Sequence, residues 1–405
     1  MLSKLIFFMM VGSMGAFGSF INLHLEQIVG LTGSQIGFIT FVGLITIVIV
    51  NPIWGYLADK TGKHAFLLKL GFFAAVATGA LYFSMRHFLL IVIVVILFEG
   101  LRAPIIPMLD FLSTDYAEKQ NYDYGRIRVY AAWGWMSIAM ATGFMVAGME
   151  LNIFGYSFGF PGFMSLEFAT FGMFIIMSFV AACLTFLLPK PAPIVSPDQA
   201  VKKGSFGKKD VKELLMNRRF VFILVLTMLG FVTLEAAFSY STMHLVTALG
   251  ASEGIVSWVA LFTVAPEIMI LPFGTVLLLR FGFKNWYLFA LATMMLRLAV
   301  YGFATNPIIF AAGGMVHGVM IVMHVIGTIA YIRKVVAPNS LGLAFTLLAS
   351  SMALSRAVLS FGFGWVYENI SSFAVFRVAM IFVLVALILA IKSRHLKEVS
   401  NEITV

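Results

Sequence analysis

Cysteine is nearly absent from this sequence, because Cys183 is the only one among 405 residues. A single thiol excludes an intrachain disulfide, and no grouping of Cys, Asp and His has the spacing of metal ligands. Charged residues are scarce too, at 11% of the chain against about a quarter in an average soluble domain. We therefore expect no disulfide framework, no metal and no cofactor.

The sequence also lacks the phosphate-binding pattern Gly-x4-Gly-Lys-Ser/Thr and any long polar segment that would form a soluble nucleotide-binding domain. These absences argue against an ATP-driven pump and against an enzyme. If the chain moves a solute uphill, the energy must come from a gradient.

Apolar residues are what the chain has in excess, at 61% of the total with a mean hydropathy of +1.00. A helix needs roughly 20 apolar residues to cross about 30 Å of hydrocarbon, and helices satisfy their own backbone hydrogen bonds in lipid. We predict an all-α membrane protein with twelve transmembrane helices, at residues 5–27, 35–58, 66–85, 88–110, 126–148, 168–189, 219–243, 253–279, 285–304, 307–332, 341–366 and 372–392.

Most of the 27 Lys and Arg residues fall in connections on one side of this predicted topology, with Arg86 and Arg377 as the main exceptions. Cytoplasmic loops carry such an excess of basic residues. We expect a multi-pass protein of the cell (inner or plasma) membrane with both termini cytoplasmic. The net charge of +9 follows from this topology and does not indicate a nucleic-acid partner.

The longest polar stretch lies between the sixth and seventh predicted spans and contains Pro191, Pro193, Pro197, Gly204 and Gly207. Proline and glycine at this density favour a linker. The sequence therefore predicts an N-terminal six-helix bundle at 1–189, a cytoplasmic linker at 190–218, and a C-terminal six-helix bundle with a short cytoplasmic tail at 219–405.

The connection after the second span contains Gly55, Asp59, Lys60, Gly62 and Lys63. We expect Gly55 to let helices approach closely, Gly62 to permit a tight turn, and Asp59 to pair with basic groups of a neighbouring helix. The loop closely resembles the signature of the major facilitator superfamily, which implies a latch that holds one conformation. An ordinary polar turn is the alternative reading.

A degenerate copy of this loop follows the eighth span, from Gly274 to Lys284, and it lacks the acid. Two related loops about 220 residues apart indicate two homologous halves. The fold implied is the major facilitator fold, with two pseudo-symmetric six-helix bundles.

A second resemblance starts at Asp110 and continues through Tyr124-Gly125-Arg126-Ile127-Arg128 and Gly134-Trp135. It is similar to the family of oligosaccharide and nucleoside proton symporters that includes lactose permease. The resemblance implies that Asp110, Arg128 and Trp135 bind substrate, with Asp where lactose permease has Glu. A carboxylate and a guanidinium suit a solute with several hydroxyls, although a structural ion pair between two spans is the alternative.

The same resemblance implies proton coupling by Glu267, Arg297 and His317 in the eighth to tenth spans. Met320 occupies the place of an acid that lactose permease has one turn after the histidine, so the proton path differs or coupling is lost. Helix-to-helix hydrogen bonding is the alternative role for these groups.

Two further charges lie inside predicted spans, Glu235 in the seventh and Arg356 in the eleventh. An isolated charge in a span costs a few kcal/mol. We expect these two to form an intramembrane charge pair with a structural role.

Together these features predict a proton-coupled secondary active symporter that imports a sugar or similar polyhydroxy small solute by alternating access. Its partners would be the solute, protons and the lipid bilayer, and we expect a monomer. A nucleoside or aromatic-acid proton symporter, a drug or lipid exporter of the same fold, and a non-transporting receptor are the alternatives. The sequence names neither the solute nor the direction.

Overall fold

The computed structural model describes residues 2–120, 122, 124–153, 156–188, 208–337 and 340–404. The predicted linker is thus described only from residue 208 onward. Within the described residues, twelve helices are long and apolar enough to cross a membrane, which confirms the predicted number of spans.

The first six spans contain seven α-helices, with a π-helical turn at Phe168–Gly172 before the last. The helices are α1 (Leu2–Gln27), α2 (Gly33–Thr61), α3 (His64–Phe83), α4 (Phe88–Arg102), α5 (Ile105–Lys119), α6 (Gly125–Ala147) and α7 (Met173–Thr185).

The short helix α8 (Lys208–Met216) precedes the last six spans, and α18 (Arg394–Thr404) follows them. Non-α turns interrupt several spans, at His244–Ala248, Leu271–Phe273, Gly313–Val316 and Met323–Thr328. The remaining helices are α9 (Arg218–Met243), α10 (Gly254–Ile270), α11 (Gly274–Phe281), α12 (Phe283–Phe303), α13 (Pro307–Ala312), α14 (His317–Val322), α15 (Ile329–Val335), α16 (Leu341–Asn369) and α17 (Ser372–Lys392).

Polar residues next to the apolar runs fix several helix starts. Thr32 and Gln35 form a reciprocal capping box at the start of α2. Asn306 accepts hydrogen bonds from backbone N–H groups in the first turn of α13, and Ser371 does the same for α17. These caps satisfy N–H groups that have no partner within the helix.

The fourth span is interrupted at Ala103 and Pro104, between α4 and α5. Proline has no N–H to continue the helical ladder, and its ring clashes with the preceding turn. Pro272 lies in the 3-10 turn between α10 and α11 for the same reason. Both interruptions lie inside membrane spans.

Contacts group the chain into two compact units. The first comprises Met1–Ser205 and Leu245–Leu261, and the second comprises Phe206–His244 and Phe262–Val405. The start of α10 belongs to the first unit, where the Ser257 hydroxyl donates to the Met140 carbonyl at 2.7 Å. The six-plus-six division of the sequence itself stays a prediction.

Each unit has an aromatic core. In the first unit, the rings of Phe17 and Phe174 lie with centroids 5.3 Å apart among further phenylalanines. In the second, Tyr301 stacks on Phe310 at 3.8 Å, and Phe376 packs edge-on against both.

The two halves of the sequence repeat backbone features at a fixed interval of 220 positions. Gly30 and Gly250 both have positive φ, at 78° and 64°, and Gly62 and Gly282 do too, at 65° and 73°. Glycine adopts this region without the steric cost of a Cβ. Matching hydrogen bonds accompany each glycine: Leu31 to Leu25, Ala251 to Leu245, Gly62 to Ala58 and Gly282 to Leu278.

A short β-hairpin, which was not predicted, lies within the otherwise all-α architecture. Strands β1 (Gly148–Ile153) and β2 (Tyr156–Pro161) pair antiparallel between α6 and the sixth span. Gly148 has φ of 82°, which ends α6 and starts the hairpin. The predicted fifth span ends at residue 148, and the sequence analysis predicts neither helix nor strand for the segment that follows.

Candidate transport site

Asp110 and Arg128 lie together in the first unit, as the resemblance implied. Arg128 Nε is 3.6 Å from Asp110 Oδ1, and the two side chains are 40% and 36% exposed, respectively. The distance is within ion-pair range but longer than a good hydrogen bond. The pair is therefore accessible and loosely held.

Tyr124 completes this cluster. The sequence analysis assigned no binding role to this residue. Its hydroxyl donates to Asp110 Oδ1 at 2.6 Å. Burial, followed by the bond to the Asp110 carboxylate, raises the pKa of Tyr124, so its hydroxyl stays a neutral donor near pH 7. Oδ2 of Asp110 accepts no hydrogen bond from the described residues. One carboxylate oxygen is thus held in place, and the other is available.

Trp135 lies two turns after Arg128 on α6, on the same side of the helix. Close approach of α1 and α6 fixes the backbone there. A Cβ at Gly134 would collide with the Phe8 carbonyl, and one at Gly15 would lie 2.6 Å from the Trp135 carbonyl oxygen. Packing therefore accounts for the glycine of the Gly-Trp pair: Gly134 lets α1 approach α6, and Trp135 is the next residue along α6.

A buried arginine–histidine contact occupies the second unit. Arg297 Nη1 lies 2.7 Å from His317 Nδ1, and Arg297 Nη2 donates to the Tyr301 hydroxyl at 3.3 Å. Both Arg297 and His317 are buried. A guanidinium has donors only, so His317 Nδ1 must be the acceptor in this contact.

Glu267 lies on α10 beside the helix that carries His317. A Cβ at Gly318 would be 2.5 Å from the Glu267 backbone nitrogen, and one at Gly314 would be 2.6 Å from the Thr263 hydroxyl. Two glycines four residues apart thus let the tenth span touch α10, as small residues do between membrane helices. Among the described residues, the Glu267 carboxylate has no hydrogen-bond or ion-pair partner.

Met320 is buried one turn after His317, at the place where the resembling family has an acid. Its sulfur accepts a hydrogen bond from the Thr233 hydroxyl at 3.5 Å. The position is therefore built for a neutral thioether.

Comparisons with known proteins place this architecture. Residues 1–393 match the family model described as MFS_1 like family. The chain belongs to this family. It is a membrane transporter of the major facilitator superfamily and not an enzyme, and its twelve spans have the major facilitator fold.

Two relatives are similar over most of the transporter's length. The transporter YwbF of Bacillus subtilis (strain 168) is 24% identical over 361 residues, which cover 88% of this chain and 84% of the relative. Maltose permease of Geobacillus stearothermophilus is 27% identical over 303 residues, which cover 75% of this chain and 70% of the relative.

Solved structures share the fold. The nucleoside transporter NupG superposes with a TM-score of 0.76 at 15% identity, covering 96% of each chain. A D-xylose-proton symporter superposes with a TM-score of 0.70 at 15% identity, again covering 96% of each chain.

The transporter's second unit contains the expected partners Glu235 and Arg356. Arg356 Nε lies 3.0 Å from Glu235 Oε2, and the Ser239 hydroxyl donates to Glu235 Oε1 at 2.5 Å. The Glu235 side chain is 0% exposed and that of Arg356 30% exposed. Both oxygens of a fully buried carboxylate are thus satisfied, as a charge in a membrane span requires.

The loop after α2 corrects one expectation and leaves another without a structural account. Gly62 turns the chain with its positive φ, as expected. A Cβ at Gly55 would meet nothing within 4 Å among the described residues, so the expected close approach of helices there is wrong for this structure. Lys60 lies over the Tyr56 ring at 5.6 Å, while Lys63 is the residue directly before α3. The side chain of Asp59 lies outside the described part.

Proposed function

We propose that this transporter is a proton-coupled symporter that imports a sugar or a similar polyhydroxy solute by alternating access. In this proposal the bundle at 1–189 supplies the solute contacts, the bundle at 219–405 supplies the proton site, and 190–218 links them. The chain works as a monomer in the cell membrane with both termini cytoplasmic.

The observation that carries the solute class is the open Asp110 pair. Its Oδ2 accepts no hydrogen bond from the described residues, and Arg128 stands 3.6 Å from Oδ1. Vicinal hydroxyls can donate to the free oxygen and accept from the guanidinium fork. Trp135 adds a flat apolar face for the C–H side of a sugar. The resemblance to a maltose permease, at 27% identity, points to the same class.

Proton coupling rests on the second unit. Glu267 has no partner among the described residues, while Arg297 is already bound to His317 and Tyr301. A carboxyl without a partner in an apolar span is most stable in its neutral form. A guanidinium that approaches it favours proton release. In our mechanism Glu267 carries the proton, and a rearrangement of Arg297 discharges it.

The test is uptake by purified transporter in proteoliposomes, with and without an imposed pH gradient. We expect sugar uptake that is driven uphill by an inwardly directed proton gradient, with alkalinisation of the external medium when sugar is added. Uptake indifferent to the gradient would overturn coupling.

Substrate class is tested separately by competition. We expect mono- and disaccharides to compete for uptake and nucleosides not to. Competition by nucleosides alone would instead favour the nucleoside symporter, for which the half-buried indole of Trp135 would stack on the base.

A further inference from the structure

A large cleft lies at the N-terminal end of α1, and Asp110, Tyr124 and Arg128 are not among the described residues that line it. It has a volume of about 1060 Å³ and opens between the start of α1, the end of α5 and the start of α6. Its walls include Leu2, Leu5, Phe8 and Ile127. The volume and the apolar walls suit an organic chain better than a small ion.

The mouth of this cleft is cationic and aromatic. Lys4 Nζ donates to the Tyr122 hydroxyl at 2.9 Å and lies 5.1 and 5.2 Å from the ring centroids of Tyr122 and Tyr130. Arg126 precedes the wall residue Ile127, is exposed, and has no ion-pair partner among the described residues. A cation at the mouth, with a second one next to a wall residue, favours an anionic occupant.

The mouth also lies at the membrane boundary. Lys4 is in the first turn of the first span, and Arg126 is in the first turn of the fifth. Tyrosines at this level are typical of the interface between lipid and water. An anionic head group next to an apolar groove is the chemistry of a phospholipid, and basic residues near the surface attract such lipids.

We propose that this cleft is a binding site for one anionic phospholipid, with the phosphate at Lys4 and Arg126 and an acyl chain along Leu5 and Phe8. The head group sits among the tyrosine hydroxyls, and the chain fills the apolar groove. The site is independent of the proposed solute and of proton coupling. The bound lipid would come from the membrane leaflet on the side of the N-terminus.

The test is native mass spectrometry of the delipidated full-length transporter with added phosphatidylglycerol or with phosphatidylcholine of the same acyl chains. We expect one phosphatidylglycerol to bind at least tenfold more tightly than phosphatidylcholine. Lys4→Gln with Arg126→Gln should weaken phosphatidylglycerol about 30-fold, since each basic residue contributes about 1 kcal/mol and 1.4 kcal/mol is a factor of ten. Phosphatidylcholine binding should not change.

The matched control is Lys392→Gln with Arg394→Gln, which removes two exposed basic residues at the end of α17 and the start of α18. This control should keep its high affinity for phosphatidylglycerol. The charge-preserving pair Lys4→Arg with Arg126→Lys should also bind phosphatidylglycerol tightly. This pair is the variant to measure if the Gln pair does not fold.

Three results would overturn the proposal. Equal affinity for the two lipids would mean that charge plays no part in the cleft. An equal loss in the Lys392 and Arg394 control would mean that the effect belongs to the surface as a whole. Complete displacement of phosphatidylglycerol by millimolar inorganic phosphate would mean a site for free anions.

Discussion

Arg297 and His317 are joined through Nη1 and Nδ1 at 2.7 Å inside the second unit. The guanidinium can only donate, so the imidazole presents the lone pair of Nδ1 and carries its hydrogen on Nε2. A proton added at Nδ1 would displace Arg297. The contact therefore marks a state in which His317 is neutral, and it links the position of Arg297 to the protonation of this ring.

This geometry predicts the histidine tautomer. With nitrogen-15-labelled histidine in detergent or nanodiscs, His317 should show the neutral form with hydrogen on Nε2 at pH 7. The signal is assigned by its loss in His317→Asn. A spectrum with hydrogen on Nδ1 would contradict the contact with Arg297.

Glu267→Gln should remove uphill accumulation and leave exchange intact. Gln has nearly the shape of a protonated Glu but cannot release a proton, so the solute equilibrates without a gradient. We expect the pH-driven accumulation ratio to fall at least tenfold towards one, while counterflow of labelled solute continues.

Glu253→Gln is the control for this change, because Glu253 lies just before α10 and outside the span. It should accumulate solute like the unaltered transporter. Normal accumulation by Glu267→Gln would exclude Glu267 as the proton carrier.

Asp110→Asn should weaken solute binding strongly, and Asp115→Asn should not. Both acids lie on α5 next to a basic residue, but Asp115 contacts Lys119 on its own helix at 2.5 Å. A hydrogen bond to a charged group contributes about 1.5–3 kcal/mol, so the KM of Asp110→Asn should rise roughly tenfold or more. Tyr124→Phe should give a smaller rise, because it removes only the donor that holds Oδ1. Equal KM values in the two Asn variants would remove Asp110 from the site.

Burial predicts an asymmetry between Glu235 and Arg356. Arg356→Gln leaves a carboxylate that is 0% exposed without its cation, whereas Glu235→Gln leaves a guanidinium that is 30% exposed. Breaking a buried pair costs about 3–5 kcal/mol, and the arginine can recover part of this by reaching water. In detergent, Arg356→Gln should have the lowest unfolding temperature of the variants. The double variant, with both Glu235→Gln and Arg356→Gln, should unfold at a higher temperature. The reverse ranking would mean that Glu235 is not held as a carboxylate.

The glycine contacts predict a difference between Gly318→Ala and Gly362→Ala. A Cβ at Gly318 would be 2.5 Å from backbone atoms of Glu267, whereas one at Gly362 meets nothing within 4 Å among the described residues. Overpacking of this kind costs about 1–3 kcal/mol, while alanine in an open helical position gains up to about 1 kcal/mol. Gly318→Ala should lower the unfolding temperature and Gly362→Ala should hold or raise it. Matching temperatures would mean that the tenth span shifts freely against α10.

The sequence was sufficient for what depends on local runs of residues. Twelve spans follow from the lengths of the apolar segments, and Gly62 makes the expected turn with its positive φ. Roles that depend on a distant neighbour were harder. Gly55 was assigned a packing role that no described neighbour supports, while Gly318 has that role and was missed.

Tyr124 was missed for a related reason. It follows a connection whose path back to α5 is not encoded in hydrophobic periodicity, so nothing local indicated that its hydroxyl would reach Asp110. The hairpin at 148–161 was missed because it lies after the predicted end of the fifth span, and the search for apolar runs of membrane-spanning length does not detect two short strands.

The interval of 220 positions between matching positive-φ glycines has an evolutionary consequence. A gene of half the present length that was copied and fused end to end would leave this regular spacing. The ancestral product would have assembled from two identical chains, so every functional group would have been present twice. Differences between the copies, such as the acid that the loop at 55–63 has and the loop at 274–284 lacks, would then date from after the fusion, when the copies were free to specialise.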